Sequence, residues 1–277
     1  MIKVKSLFLK IIKKISYLYS RRRELIYSFN LENYIYRDDV NKIKTFKNKH
    51  SGDRCFIIGN GKSLNLLDLT KLKNEITFGV NAIYLNKDKM GFLPTYYFVE
   101  DIFVAEDRKD EINNLSGALK FFGHYLKYCI KKDENTVFLN VKREFNERNP
   151  NFPDFSTDAS KKLFVGGTVS YLNLQLAYYM GFRQVILIGF DHHYIIPNDA
   201  KVTFLGRDIL STNDDPNHFA SDYFGKGKRW HDPRVDNMER AYKKAKIFYD
   251  NDNREILNAT PDSKLNVFKK IDYNSLF

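Results

Sequence analysis

The chain has 277 residues, 43% of them hydrophobic, enough for one large domain or a domain with appendages. A formal net charge of +11 points to anionic partners such as nucleic acid, anionic lipid or phosphorylated substrates, although the chain is Lys-rich throughout. Cys55 and Cys129 are the only cysteines, and neither zinc spacing, a low-complexity tract nor an internal repeat is present, so reduced thiols in a cytoplasmic chain are expected.

Residues 1–25 carry Val4, Leu7, Phe8, Ile11, Ile12, Ile15, Leu18 and Tyr19 at helical spacing. Lys3, Lys5, Lys10, Lys13 and Lys14 fill much of the other face, and Arg21-Arg22-Arg23 follows. Its longest apolar run, Leu7 to Leu9, is too short for a signal peptide or a membrane span. A basic amphipathic helix of this kind lies in an anionic membrane surface, or packs on the domain or another subunit. No RNA- or DNA-binding module is recognisable, so nucleic acid is not the expected partner. Residues 26–53 read as a helical linker, and Ser51-Gly52-Asp53 marks entry to a domain over 54–277.

Cys55 to Ile58 predicts a short buried strand, broken by Gly59-Asn60-Gly61. Ser63 is placed to cap a helix through Leu64, Leu67 and Leu72. A strand, a Gly turn and a helix start offer backbone N–H groups to a phosphate. The spacing fits neither a Walker A loop nor the full dinucleotide fingerprint, and Gly is also used in such turns for backbone freedom alone. A second strand ends at Asn81. A third, Pro94 to Val99, ends in Glu100-Asp101, acids that suit a ribose, a sugar hydroxyl or a metal; Asp101 equally suits a helix cap. Residues 102–133 read as helical, Thr136 to Val141 as a fourth strand, and 142–162 as a long loop.

Gly166-Gly167-Thr168 opens a second helix after a second Gly turn. Gln184 to Ile188 is a buried strand with Gly189-Phe190-Asp191-His192-His193-Tyr194 at its end. Two Gly turns facing one crevice suit a nucleotide at a topological switch point. Residues 195–232, with His218, Tyr223, Gly225, Lys226, Gly227, Lys228, Arg229 and His231, have the composition of a lid over a phosphorylated ligand. An amphipathic helix follows Pro233, Glu255 to Leu257 forms a last strand, and the tail packs back on the domain. The fold class is therefore α/β: a Rossmann-like, mostly parallel sheet with helices on both faces, a GT-A-like single nucleotide-binding domain behind an N-terminal basic helix.

Together, Arg54 to Gly61, Val165 to Val169, Ile188 to Asp191, His218 to Pro233, and Asn258-Ala259-Thr260 through Phe268 resemble the 6-hydroxymethylpterin diphosphokinase MptE-like family over about residues 45–277. Its bacterial surface-glycan branch is related to the motility-associated flagellin glycosyltransferases. The layout is also similar to the Campylobacter-type sialyltransferases, which use a CMP-activated nonulosonic acid on one Rossmann-like domain without metal. The resemblance implies that Gly59-Asn60-Gly61 and Asn81 bind the donor. It implies a Ser/Thr-Gly turn near Gly167-Thr168, and a catalytic His231 with Asp236 five residues on. Lys62 stands where both groups usually have Pro. The tyrosines that hold the donor phosphate are not cleanly matched, with Tyr194, Tyr223 and His193 as candidates.

Sugar transfer needs a base for the acceptor hydroxyl, stabilisation of the leaving phosphate and exclusion of water. His231 is the expected base, with His218 as its rival. Gly59, Asn60, Gly61, Ser63, Gly167 and Thr168 are expected on the nucleotide, with Asn81, Asp101 and Asp191 reading the donor. Tyr223, Lys226, Lys228 or Arg229 would neutralise the leaving phosphate. The expected activity is a glycosyltransferase of surface polysaccharide or lipopolysaccharide assembly, without cofactor, acting on a glycan or lipid-linked glycan at the inner face of the cytoplasmic membrane. A diphosphokinase moving pyrophosphate from ATP to a pterin is the alternative, requiring Mg²⁺ held by Glu100, Asp101 and Asp191. A non-catalytic membrane-surface scaffold is a third. His192-His193 point apart on a strand end, which argues against a shared metal ion.

Overall fold

The computed structural model describes residues 36–143, 149–203 and 208–277. The basic segment expected at 1–25 lies outside the described residues.

The core is an eight-stranded sheet in which every pairing is parallel. Its strands are β1 (Arg54–Ile58), β2 (Thr77–Val80), β3 (Tyr96–Val99), β4 (Leu119–Gly123), β5 (Thr136–Leu139), β8 (Gln184–Ile188), β12 (Glu255–Asn258) and β13 (Lys269–Lys270). The spatial order is β13-β12-β8-β1-β2-β3-β4-β5. From β1 the chain builds outward through β2 to β5, then returns to lay β8 on the other side of β1. The order reverses between β1 and β8, so a crevice opens there at the strands' C-terminal ends.

Both faces of the sheet are covered, as the near-continuous apolar strands require. Cys55 and Ile57 of β1 point into one core with α5 (Val169–Met180) and α6 (Val235–Asn251); Phe56 and Ile58 point into the other. The second face is covered by short elements: 3₁₀ turns at Lys62–Leu66 and Leu69–Leu72, α2 (Lys87–Met90), α3 (Ile102–Asp107) and α4 (Lys109–Asn114). Helices on both faces of a parallel sheet bear out the Rossmann-like expectation.

Four local expectations are corrected. The helix expected after Ser63 is two 3₁₀ turns, the second capped by Asp68, which accepts from Thr70 N at 3.1 Å. Residues 102–133 are not continuously helical but contain β4. Phe121 and Phe122 face opposite cores, while Lys120 is buried and donates to Leu115 O at 3.1 Å and Asp133 at 2.5 Å. A charged residue inside a five-residue run hides such a strand from periodicity. The described part of the 26–53 linker belongs to the domain: α1 (Arg37–Lys44) packs on β5, and Ile43 and Phe46 are in the core. The segment expected as a lid carries a small antiparallel sheet, β9 (Lys201–Thr203), β10 (Asp208–Leu210) and β11 (Arg229–His231). A two-stranded parallel pair, β6 (Val141–Lys142) and β7 (Leu163–Phe164), completes the strands.

Candidate active site

The crevice between the β1 and β8 ends is lined by Gly59, Asn60 and Gly61 after β1, Asn81 after β2, the start of α5, and residues 189–194 after β8. A further wall is the loop bearing Asn217, His218 and Tyr223. Parallel register aligns Ile58 with Ile188, so Gly59 N donates to Ile188 O at 2.8 Å and Gly61 N to Gly189 O at 3.0 Å. A Cβ on Gly59 would come closer than 3.0 Å to the Gly189 carbonyl, which explains why glycine stands there.

These bonds overturn one expectation. Gly59 N, Gly61 N and Ser63 N all donate within the protein, the last to Asp191 Oδ2 at 3.2 Å. They are therefore not available as a phosphate cradle. Ser63 Oγ also donates to Asp191, so that carboxylate is spent on the turn rather than turned to a ligand. The second Gly turn fits better. Gly167 has φ +82°, and Thr168 caps α5 by accepting from Ser170 N at 3.3 Å. Thr168, Val169 and Ser170 then present the helix's positive end to the crevice.

Three polar atoms facing this region are buried without a partner among the described residues: Asn60 Oδ1, Asn81 Oδ1 and His192 Nε2. Such atoms are costly unless something pairs with them. Asn60 Nδ2 is used, donating to Val80 O at 3.2 Å and Tyr223 OH at 2.9 Å. Asn81 and His192 also hold left-handed backbone angles, φ +51° and +56°. Left-handed backbone and buried polar atoms without hydrogen-bond partners cluster at functional sites. The cavity encloses about 100 Å³. That is below the ~300 Å³ at the lower end of small-molecule sites, so a nucleotide-sized ligand must also occupy open space beside it.

The His218 wall is braced, where its glycines suggested a hinged lid. Asp215 is buried and accepts from Asn217 N at 2.7 Å, Phe224 N at 2.9 Å and His218 Nδ1 at 2.7 Å. Burial alone would raise its pKa, but the His218 contact and the backbone donors outweigh it and lower it. Phe219 N donates to Asn60 O at 3.0 Å, which ties the wall to the Gly turn. Arg108, from the α3–α4 junction, donates to Asp222 O at 2.8 Å and Tyr223 O at 2.7 Å. The His218 ring stacks on Tyr223 at 4.1 Å.

A second His–Asp pair lies outside the crevice lining. His231, at the end of β11, approaches Asp101 Oδ2 with Nδ1 at 2.7 Å and Asp208 Oδ1 with Nε2 at 3.8 Å. Its ring stacks on Phe103 at 4.3 Å. Asp101 also caps α3, accepting from Phe103 N at 2.7 Å and Val104 N at 3.2 Å. Both readings of Asp101, cap and polar group at a strand end, therefore hold at once. Burial opposes charge on His231, but the bond to Asp101 and the carboxylates of Asp101, Asp208 and Glu100 raise its pKa above 6.5. Burial likewise opposes charge on Asp101, and His231 with the two cap donors lowers its pKa below 3.8. Asp236, expected as the partner of His231, sits in the first turn of α6 instead.

Of the expected site residues, the structure brings Gly59, Asn60, Gly61, Asn81, Thr168, Asp191, His193, Tyr194, His218 and Tyr223 to one crevice. It leaves Ser63, Gly167, Asp101, Lys226, Arg229 and His231 off the lining. Tyr223 is fully buried and its hydroxyl accepts from Asn60. Arg229 clamps β11 to α3, its Nε donating to Asp107 at 2.9 Å and its Nη2 to Glu106 at 2.8 Å. Lys228 donates to Asp107 O at 3.2 Å. Neither serves the crevice, and Lys226 is an exposed loop residue. Sequence reasoning missed Asp215, although an Asp three residues before His218 was a usable signal, and missed Asp208, Ser170, Asn217 and Tyr242, which had none.

The sequence matches the 6-hydroxymethylpterin diphosphokinase MptE-like family over residues 29–196, more than half of the chain. The chain belongs to that family. The family match takes in the β1, β2 and β8 ends and the α5 start, and stops before the His218 and His231 segments. No curated protein matches this MptE-like chain. One solved structure similar to it is that of the MAf glycosyltransferase from Magnetospirillum magneticum AMB-1, at 14% identity and a TM-score of 0.49. The similarity covers 87% of this chain and 39% of that one, so the chain spans well under half of that protein.

Proposed function

We propose that the protein is a glycosyltransferase. It moves a sugar from a nucleotide-activated donor in the switch-point crevice to a hydroxyl deprotonated by His231. The observation that carries this reading is the Asp101–His231 pair, a carboxylate 2.7 Å from an imidazole nitrogen, in a domain whose crevice holds buried polar atoms without hydrogen-bond partners. Asp101 accepts the hydrogen bond from Nδ1–H, which leaves the Nε2 lone pair for the acceptor hydroxyl. Asp208, 3.8 Å from Nε2, lies where it can accept a second hydroxyl of a sugar acceptor. The donor is a CMP-linked nonulosonic sugar in this proposal, and the acceptor a surface glycan or its lipid-linked precursor.

The pterin reading requires Glu100, Asp101 and Asp191 around Mg²⁺. Glu100 instead receives Tyr125 OH at 3.0 Å and meets Arg143 at 3.3 Å; Asp101 holds His231, and Asp191 holds Ser63. Among the described residues no group of three or more His, Cys, Asp or Glu is arranged to hold a metal ion. The acids do not fit that role.

Calorimetric titration with CMP, UDP, GDP and ATP, each with and without Mg²⁺, tests the proposal. CMP binding that ignores Mg²⁺ is the expected result. UDP or GDP binding keeps the transferase and discards the donor. ATP binding that requires Mg²⁺ favours the diphosphokinase, and silence from all four favours a scaffold.

In the same proposal residues 1–25 hold the enzyme on an anionic membrane. Among the described residues no helix is long and apolar enough to cross one. Removing residues 1–25 is expected to leave a folded protein that no longer sediments with anionic vesicles; equal sedimentation of both chains would end the anchor idea.

A further inference from the structure

A nucleotide-sugar donor brings a phosphate into the crevice, yet among the described residues its lining holds no Lys or Arg. Arg229 and Lys228 are committed to α3, and Asp191 adds a carboxylate to the same space. The available positive groups are the α5 N-terminus and imidazoles. Of these, His192 has a buried side chain 4.0 Å from Glu239, and burial lowers its pKa. His193 is exposed. His218 alone has a buried carboxylate behind it, at 2.7 Å on Nδ1, which leaves Nε2 on the far side of the ring for the crevice.

We propose that His218, oriented by Asp215, is the group that hydrogen-bonds and charge-compensates the donor's leaving phosphate, opposite the α5 N-terminus. This rests on the glycosyltransferase reading and adds a division of labour to it. As the bond from the anomeric carbon to the phosphate oxygen breaks, the acceptor oxygen bonds that carbon and its proton passes to His231 Nε2. The negative charge gathering on the phosphate is met by His218 Nε2–H, on the ring whose Nδ1 edge is held by Asp215. Asp215 is a positioning residue. Its two backbone bonds, to Asn217 N and Phe224 N, fix its oxygens and so the ring. The groups around the ring are Asp215 on its own loop, Tyr223 stacked on it, Asp191, His192 and His193 after β8, and Arg108 behind Tyr223.

The test compares CMP with cytidine, a pair differing only in the phosphate. Affinities are measured on the full chain for wild type, His218→Ala and His218→Gln between about pH 5 and 8, with thermal melts to confirm the fold. Both variants are expected to bind CMP about ten- to a hundredfold more weakly than wild type and to bind cytidine normally. Unchanged CMP binding in both folded variants overturns the proposal and leaves the nucleotide site standing. Equal loss of CMP and cytidine overturns it too, by making His218 a structural residue. If wild type binds neither CMP nor UDP nor GDP, the transferase reading itself has failed.

Discussion

His231→Ala is expected to cut sugar transfer by about 10²–10⁴-fold, the usual contribution of a positioned general base, while leaving nucleotide affinity near wild type. The separation follows from geometry: His231 is off the crevice lining, so its loss should not reach the nucleotide. Asp101→Asn keeps the side chain's shape but offers no charge to Nδ1, and is expected to fall between wild type and His231→Ala. Full transfer by His231→Ala would remove the base assignment. The pH dependence provides a second reading. Catalysis needs the neutral ring, so the rate should rise with pH through a midpoint above 6.5 in wild type, and that midpoint should drop in Asp101→Asn. Stability runs the opposite way. The raised pKa of His231 contributes stability that is fully present below 6.5 and is lost as pH rises through the folded value. The lowered pKa of Asp101 contributes stability present above 3.8 and lost as pH falls through its folded value. The melting difference between wild type and His231→Ala should therefore be largest between these limits and shrink toward alkaline pH.

Gly59→Ala is expected to destabilise the fold by at least about 1–3 kcal/mol, the range for overpacking a dense site. The new methyl would strike the Gly189 carbonyl, which is main chain at the end of the neighbouring strand and cannot swing aside. Gly61→Ala meets the Asp191 side chain instead, closer than 3.0 Å. That carboxylate can rotate away at the expense of its bonds to Ser63, so the loss of stability should be smaller and the loss of nucleotide binding larger. Urea unfolding of both variants, with CMP titration of whatever remains folded, separates the two effects. A wild-type melt for Gly59→Ala would mean that the β1 and β8 ends are not packed as described.

Much of the fold was legible because its determinants are local. Cys55 to Ile58 and Gln184 to Ile188 are apolar runs bounded by Gly, and a parallel strand buried on both faces reads in just that way. The α5 start announces itself through Gly166-Gly167-Thr168, where a left-handed Gly and a Thr cap are both needed. Lys120 concealed β4, since its burial depends on Asp133 and on a carbonyl that no window around it identifies. Ser63 deceived in the other direction. As a cap its meaning would be local, but its hydroxyl serves an aspartate 128 residues away.

The site divides along the same line. Sequence alone determined the α/β order of elements, the Gly turns and the residue types that gather at the strand ends, because these follow from short-range propensity and from continuous apolar runs bounded by turn residues. It also picked out His231 and His218. Only the tertiary structure decided their partners: Asp101 for His231 across 130 residues, and Asp208 beside it through the β10–β11 register. The same holds for the cations. Lys228 and Arg229 look free in a basic loop, and folding spends them on Asp107 and Glu106, leaving the crevice to imidazoles and a helix end. A side chain's charge is written in its residue type, whereas the group it neutralises depends on which distant segments the sheet brings within three or four ångströms.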